Sequence, residues 1–218
     1  MTALEPELRL TPKQDARRRR VMQAALELGA EGGYDAVQMR EVASRAKVAL
    51  GTIYRYFSSK DHLLAAAMGE WTGQLRGRLA QSPAKGETMS ERLLDVLRRA
   101  TRAMERQPKL TAALVMSLSA PDIGLEDATA DVRSQIAAMA GGVLDDLDEE
   151  TRATILSIIG HVWYSTLTSW ANGRRPFSVV NSELERAVLL LLAPYEGGAN
   201  GNGHTRRVGQ IARSRPSQ

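Results

Sequence analysis

The sequence predicts an all-α protein, with an N-terminal three-helix domain followed by a larger C-terminal helical domain and about nine helices in all, if each has the usual length. Helix-capping signals recur along the chain, and alternating Val, Ile and Thr patterns typical of strands are missing. The 218 residues, of which 43% are hydrophobic, suffice for a sizeable buried core.

Helix starts are predicted by hydroxyl side chains followed three residues later by Gln, Asp or Glu. Thr11 and Gln14 form a capping box with Pro12 at the first helical position, and the helix should run to the glycine pair 32–33. The same signature recurs at three further places: Ser58 to Asp61, Thr88 to Glu91 and Ser182 to Glu185. Breaks are predicted at Pro108, Pro121, Pro176 and Pro194.

Residues 38–57 have the pattern of a helix-turn-helix. Apolar residues at positions 39, 42, 43 and 46 predict one face of a short helix, and 47–49 turn the chain. In a second helix over 50–56, Ile53 and Phe57 should point inward with i, i+4 spacing. The start of this second helix is then exposed as a DNA-recognition surface.

The predicted DNA-binding residues combine cations, hydroxyls and a site of close backbone approach. Gly51 allows close approach to DNA, Thr52 can contact a thymine methyl, and Arg55 can pair with guanine or phosphate. Tyrosine hydroxyls and a lysine suit the flanking sugar-phosphate strand. The full set is Arg40, Lys47, Leu50, Gly51, Thr52, Tyr54, Arg55, Tyr56 and Lys60.

Basic residues are concentrated at the two ends of the chain. Residues 1–20 carry six cations and three acids, and the segment after Glu196 carries four arginines and no acid. This distribution favours a polyanion partner contacted at one end of the molecule. For the C-terminal arginines alone, a solvated charge run is the preferred alternative.

The segment 32–64 resembles the N-terminal domain of the TetR/AcrR family of bacterial transcriptional regulators. The matching residues are Gly33-Tyr34, Glu41-Val42-Ala43, Val48, Gly51-Thr52-Ile53-Tyr54, Tyr56-Phe57, Ser59-Lys60 and Leu63. The resemblance implies operator DNA as a partner, a ligand cavity in the C-terminal domain, and dimerisation through C-terminal helices.

The sequence departs from the family pattern at the helix-turn-helix. Val37-Gln38 stands where a threonine usually precedes the second helix, and Lys47-Val48-Ala49 replaces a Gly-Val-Ser turn. Lys47 should therefore adopt a conformation that glycine adopts more easily, and Ala49 cannot cap the recognition helix with a hydroxyl. We expect one phosphate contact to be lost and Lys47 to replace it electrostatically.

Four regions are expected along the chain. Residues 1–11 form a disordered arm, 12–67 the helix-turn-helix domain, 68–195 the ligand-binding and dimerisation domain, and 196–218 a disordered basic tail. A helix over 59–79 should link the two domains.

Two apolar helices near the C-terminus predict a homodimer. Between Arg152 and Arg174 no Asp, Glu, Lys or Arg occurs, and apolar residues fall on two faces: Ile155, Ile159, Val162 and Thr166 on one, and Leu156, Trp163, Leu167 and Trp170 on the other. Such a helix should be buried on most sides, with one face against a second copy. Its polar residues argue against a membrane span. The closing helix over 184–192 has a similar surplus of apolar residues.

Large apolar side chains in the C-terminal domain are candidates for an effector cavity, although each could equally well only fill the core. The candidates are Met104, Leu114, Met116, Leu118, Met139, Trp163, Leu167 and Trp170. Three sets of residues, 37–40, 102–108, and 162–165 with 169–170, resemble actinobacterial repressors of cholesterol and steroid catabolism. That resemblance implies a small hydrophobic effector, with a steroid or fatty acyl-coenzyme A (acyl-CoA) thioester as the candidate class.

Other chemistries find little support in the sequence. Cysteine is absent and the three histidines are isolated, so we expect no metal, no cofactor and no enzymatic activity. The N-terminus lacks the apolar core of a signal peptide, which favours a cytoplasmic, ligand-responsive repressor. The alternatives are a sequence-indifferent architectural DNA-binding protein and, less favoured, a helical lipid carrier or enzyme.

Overall fold

A computed structural model describes the chain at residues 10–118, 125–140 and 142–196. These residues contain nine α-helices and one short 3-10 helix, Tyr34–Ala36, and no strand, which confirms the predicted fold class. The α-helices are α1 Pro12–Gly32, α2 Met39–Ala46, α3 Leu50–Tyr54, α4 Lys60–Ala80, α5 Met89–Glu105, α6 Pro108–Ser117, α7 Leu125–Met139, α8 Glu149–Ala171 and α9 Ser178–Glu196. Residues 1–9 and 197–218, most of the two predicted disordered ends, lie outside the described residues, as does Pro121.

The capping boxes at the starts of α1 and α5 are confirmed. The backbone N–H of Thr11 donates to Gln14 Oε1 at 2.8 Å, while the Thr11 hydroxyl accepts from the Gln14 N–H. The Thr88 hydroxyl likewise accepts from the Glu91 N–H at 3.2 Å. Both caps satisfy first-turn N–H groups that have no partner within the helix.

Two other predicted helix starts are wrong. The N-cap of α4 is Ser59, whose hydroxyl accepts from the His62 N–H at 3.0 Å, one residue later than predicted. Ser182 does not cap a helix, because α9 begins at Ser178 and Ser182 lies in its second turn. The buried side chain of Val180 explains the earlier start, since it anchors an additional turn to the core.

Pro194 does not end α9, contrary to the prediction, and the helix continues to Glu196. Proline removes the hydrogen bond that its N–H would donate four residues back. Here that acceptor belongs to Leu190, whose side chain is 77% exposed, so water can reach the backbone nearby. Glu196, assigned by the sequence to the tail, accepts a hydrogen bond from the Ser90 hydroxyl at 2.8 Å.

The N-terminal helices pack around a small apolar core. Val21, Ala25, Val42, Ile53 and Phe57 are all fully buried there, from α1, α2, α3 and the segment that follows. The recognition helix α3 ends at Tyr54, two residues earlier than predicted, but Ile53 and Phe57 both point inward as expected.

Helix α4 runs unbroken from the helix-turn-helix into the C-terminal bundle. It packs against α1, α6 and α7, and it crosses position 67 without a break. At Gly69, a Cβ would collide with the carboxylate of Asp131 on α7, so a larger residue there would require the Asp131 side chain to move. The two parts of the chain are therefore joined by one continuous helix.

Helix α8 buries one narrow stripe within the single chain, and the prediction that a second copy covers another of its faces stays a prediction. Ile155, Ile159, Trp163 and Leu167 are buried at i, i+4 spacing and so mix residues from the two predicted faces. The remaining large side chains of α8 are half-buried or exposed. A stripe with a repeat of four residues drifts slowly around a helix of 3.6 residues per turn, and the neighbouring helices select which residues it includes.

Candidate DNA-binding and ligand-binding sites

The turn between α2 and α3 adopts the conformation expected from its sequence. Lys47 lies in the left-handed region at φ 54° and ψ 51°, the only non-glycine residue with positive φ among the described residues. Its N–H and that of Val48 bond back to carbonyls of α2 and end that helix. Ala49, the N-cap of α3, makes no side-chain capping bond.

The turn and α3 present polar and cationic side chains on one exposed surface, the recognition surface. Gly51 has no neighbouring atom within 4 Å of where a Cβ would lie, so another molecule can approach its backbone closely. Tyr54, one of the few aromatic residues of this chain, is 53% exposed. Of the predicted DNA-binding residues, five are exposed and four are half-buried: Arg40, Lys47, Gly51, Tyr54 and Arg55, and then Leu50, Thr52, Tyr56 and Lys60.

Lys60 lies against the 3-10 helix. Its Nζ donates to the Tyr34 carbonyl at 3.3 Å and lies 3.5 Å from the centroid of the Tyr34 ring. A cation over an aromatic face is favourable, and the ammonium keeps donors for a further partner. Lys60 therefore links the start of α4 to the 3-10 helix that follows α1, a role that the sequence did not indicate.

Tyr34 completes this contact through its hydroxyl, which donates to Asp61 Oδ1 at 2.6 Å. Burial, the hydrogen bond to Asp61 and the charge of that carboxylate together raise the pKa of Tyr34 to about 12. Tyr34, Lys60 and Asp61 form a small cluster, here called the hinge cluster, between the helix-turn-helix and α4. Sequence reasoning missed it because the tyrosine and the aspartate are 27 residues apart.

The arginine run at the start of α1 is only partly engaged within the protein. Arg19 pairs with Asp15 at 2.6 Å, and the Arg18 guanidinium lies 5.4 Å from the Phe57 ring centroid. Arg17 and Arg20 make no ion pair within the described residues. The run thus adds positive charge to the helix-turn-helix domain.

The residues predicted to contact a ligand are packed to different degrees. Four are buried in the core: Met104, Leu114, Trp163 and Leu167. Three are half-buried: Leu118, Met139 and Trp170. The Trp170 ring packs edge-on against Phe177, with 4.9 Å between the two ring centroids. Met116 is 40% exposed on the outer side of α6. Their role in ligand binding stays a prediction.

A buried indole donor lies among these residues. Trp163 is 2% exposed, and its Nε1–H has no hydrogen-bond partner among the described residues. An unsatisfied buried donor costs about 1–3 kcal/mol. A polar atom of a bound molecule would satisfy this donor.

Among the clefts formed by the described residues, two lie beside α4. The larger, about 650 Å³, lies between α1, α4 and α7, and its lining includes the acids Glu70, Asp127 and Asp131 together with Arg18. The smaller, about 320 Å³, lies between the C-terminal ends of α4 and α7 and the first half of α5. Of the eight predicted ligand residues, only Met139 lines either of these clefts, and it lines the smaller one.

Helices α8 and α9 expose apolar side chains. Leu190 is 77% exposed and Leu189 49%, while Ile158 and Tyr164 on α8 and Tyr195 on α9 are also exposed. Large apolar patches on a surface mark interaction sites. No helix in the described ranges is both long enough and apolar enough to span a bilayer.

Family models match both parts of the chain. Residues 21–67 match the bacterial regulatory proteins of the TetR family, and residues 86–191 match a tetracyclin repressor-like C-terminal domain. Residues 21–67 include the turn and recognition helix described above.

Similar proteins extend the match over most of the chain. The HTH-type transcriptional repressor KstR of Mycobacterium tuberculosis is 36% identical over 180 residues, which are 82% of each protein. A TetR transcriptional regulator from Rhodococcus sp. RHA1 has a crystal structure that superposes with a TM-score of 0.73 and 34% identity, covering 84% of this chain and 99% of that one.

A more distant structure shares the fold. It is that of Thermus thermophilus FadR, a TetR-family repressor in complex with lauroyl-CoA, with a TM-score of 0.65, 21% identity, and coverage of 87% of this chain and 98% of that one. The family matches and the extent of identity to KstR together establish that this chain belongs to the TetR family of bacterial transcriptional regulators.

Proposed function

We propose that this protein is a transcriptional repressor that binds a palindromic operator as a homodimer and leaves it when a hydrophobic effector binds. The observation that carries the proposal is the recognition surface, where exposed Gly51, Tyr54 and Arg55 project from a helix held by buried Ile53 and Phe57. Relatives over most of the chain are named as repressors, which supports the same function.

The recognition surface suits the major groove of duplex DNA. The exposed backbone at Gly51 can approach the phosphates, and the Arg55 guanidinium can contact guanine through two hydrogen bonds. Lys47, Lys60 and the arginines of α1 supply charge for the phosphate strand. The function needs no catalytic residue, so we propose a regulator and not an enzyme, acting in the cytoplasm where the chromosome lies.

Dimerisation through α8 and α9 would place two recognition surfaces on two half-sites. The exposed apolar residues of these helices supply a surface that a second copy can bury. In a two-fold dimer this same surface of both copies meets, so each apolar patch covers the other. Half-sites one helical turn apart, about 34–36 Å, are the usual requirement for a paired helix-turn-helix.

The effector is proposed to be an apolar molecule that enters the C-terminal bundle. The unsatisfied Trp163 Nε1–H offers one fixed polar contact within apolar surroundings. A structure of similar fold is that of a repressor in complex with lauroyl-CoA, which supports the fatty acyl-CoA part of the proposed class, and the sequence resemblance to steroid-catabolism repressors supports the steroid part. An effector changes the DNA-bound population only by binding one conformation better than the other.

The decisive experiment is capture of fragmented genomic DNA by the purified protein, followed by footprinting of the enriched fragments. Protection of a palindromic tract, with weaker binding to a scrambled duplex at the same salt concentration, is the expected result. Equal binding to both duplexes would instead identify an architectural protein. Affinity for fatty acids without affinity for any duplex would identify a lipid carrier.

The contribution of Lys60 to DNA binding can be measured separately. If Lys60 neutralises one phosphate, Lys60→Ala should weaken binding to all duplexes alike and reduce the slope of log affinity against log salt by about one unit. Thermal unfolding of the same variant measures its role in the hinge cluster. A lower melting temperature with an unchanged salt slope would show that Lys60 acts only within the protein.

A further inference from the structure

The smaller cleft of the C-terminal bundle combines arginines with apolar side chains. Three of its lining residues are Arg76 from α4 and Arg92 and Arg99 from α5, and no Asp or Glu is among the described residues that line it. The remaining lining is mostly apolar and includes Leu79 and Met139. The larger cleft is lined by three acids and one arginine, Arg18, so the smaller is the one suited to an anion.

The arginines keep donors that the protein does not use. Arg92 donates Nη1 to the Glu87 carbonyl at 2.9 Å, and Arg99 donates Nη1 to the Ser82 carbonyl at 3.1 Å. Arg76 makes no ion pair within the described ranges of the chain. Each guanidinium has five N–H donors, so all three can bind a further group.

Among the described residues, only the carboxylate of Asp95 pairs with any of the three arginines. Its Oδ2 lies 3.1 Å from Arg99 Nε and also accepts from the Lys85 N–H at 3.1 Å. Arg92 is bonded to a neutral backbone carbonyl and Arg76 makes no ion pair within the described residues, so neither charge is neutralised there. The cleft therefore carries net positive charge beside an apolar wall.

We propose that this cleft binds the phosphate-bearing end of an amphiphilic effector, as in a coenzyme A thioester, with the apolar part directed past Met139 into the bundle. Guanidinium groups bind phosphate oxygens through paired, charge-assisted hydrogen bonds. The volume of about 320 Å³ accommodates only part of such a molecule, and the rest of its polar end extends into solvent through the open side. The assignment rests on the proposed effector-responsive function and specifies the polar end of the effector.

The position of the cleft connects it to the DNA-binding end of the chain. Arg76 and Leu79 belong to the same helix as Lys60, at a distance of about 24 Å along its axis from Lys60 to Arg76. An anion held between α4 and α5 therefore contacts the helix that begins in the hinge cluster.

The test compares the double variant Arg76→Gln/Arg92→Gln with a matched control, Arg98→Gln. Arg98 is also on α5 but pairs with Glu185 of α9 at 3.1 Å and does not line the cleft. Arg99 is left intact because it has two contacts within the protein. Circular dichroism and thermal unfolding establish that each variant is folded.

Calorimetric titration with lauroyl-CoA, free coenzyme A and lauric acid gives the readout. The double variant should lose at least about tenfold in affinity for lauroyl-CoA per arginine removed, and should also lose binding to free coenzyme A. Its affinity for lauric acid should stay within about twofold of the wild type, and Arg98→Gln should match the wild type with all three probes.

Equal affinity of the wild type and the double variant for lauroyl-CoA would overturn the assignment. So would a wild-type protein that binds neither lauroyl-CoA nor free coenzyme A. Binding of genomic operator fragments without any ligand is measured on the same samples. Failure of the wild type to bind DNA would refute the repressor function, whereas intact DNA binding with arginine-independent ligand binding refutes only the cleft assignment.

Discussion

At the scale of single residues, Lys47 has two opposing effects. Its left-handed backbone is strained by about 1–2 kcal/mol relative to glycine, while its side chain is an exposed cation beside the recognition helix. The turn geometry needed by the helix-turn-helix is thus kept at some cost in folding free energy. A contribution of the Lys47 charge to DNA binding would explain why this position holds a lysine and not a glycine.

Substitution of Lys47 separates these two effects. Lys47→Gly should raise the free energy of unfolding by up to about 1 kcal/mol, because glycine adopts positive φ without a Cβ clash. This gain corresponds to a melting temperature that is higher by roughly 2–4 °C. DNA affinity should fall and the salt slope should decrease by about one unit. Lys47→Ala is the control, since it removes the charge and keeps the strain; higher stability in this variant too would contradict the argument.

Tyr34 makes stability depend on pH at the alkaline end. Its pKa in the folded protein is raised to about 12 from 10.0, chiefly by burial and then by the hydrogen bond to Asp61. Because the neutral phenol is favoured by folding, its contribution is complete below pH 10 and is lost as pH rises from 10 to 12.

Tyr34→Phe should therefore remove part of the decrease in stability between pH 10 and 12. Urea unfolding across this range measures it, and Tyr54→Phe, which removes an exposed hydroxyl on α3, is the control. Identical pH profiles for wild type and Tyr34→Phe would show that ionisation of Tyr34 is not linked to folding.

At the scale of elements, the helix ends determine where side chains are placed. The capping box of Thr88 and Glu91 fixes the start of α5, and the Ser90 hydroxyl two residues later donates to Glu196 at the end of α9. The first turn of α5 is thus bonded to the end of α9 through two residues that are 106 positions apart in the sequence. A loss of the cap should loosen both.

Thr88→Ala should cost about 1 kcal/mol, because one first-turn N–H loses its acceptor. Equilibrium unfolding in urea measures the change as a lower midpoint with an unchanged slope. Thr154→Ala, at an exposed position inside α8, is the matched control and should be neutral or slightly stabilising. Equal effects of the two substitutions would contradict a capping role for Thr88.

At the scale of the whole molecule, α8 and α9 close the bundle but leave apolar side chains on its outside. Leu190 alone is 77% exposed, on a helix whose opposite side buries Leu184, Val188 and Leu192. A helix that is apolar on two sides is stable in water when each side is covered. The second side of α9 thus fits a contact with another copy of the chain.

Leu190→Glu tests this contact. In a two-fold interface each substitution occurs twice, so burial of two carboxylates should convert the dimer to monomers and abolish binding to a palindrome. Sedimentation velocity measures the change, and Leu10→Glu, at another exposed leucine, is the control. A dimer that persists in the Leu190 variant at low micromolar concentration would place the interface elsewhere.

The sequence by itself determined the features that depend on near neighbours in the chain. These include the all-α class, the caps at Thr11 and Thr88, the left-handed turn at Lys47 and the inward side chains of Ile53 and Phe57. Each follows from steric or hydrogen-bonding preferences that act within about four residues. Such preferences are the same in any fold, so the sequence expresses them directly.

Only the tertiary structure decided the features that depend on distant residues. Burial of Val180 moves the start of α9 away from Ser182, and the position of Tyr34 beside α4 determines the contacts of Lys60 and Asp61. Arg76 and Arg92 come to line one cleft because α4 and α5 pack side by side. Packing of whole helices sets these contacts, and the local pattern of residues does not encode which partner each helix will meet.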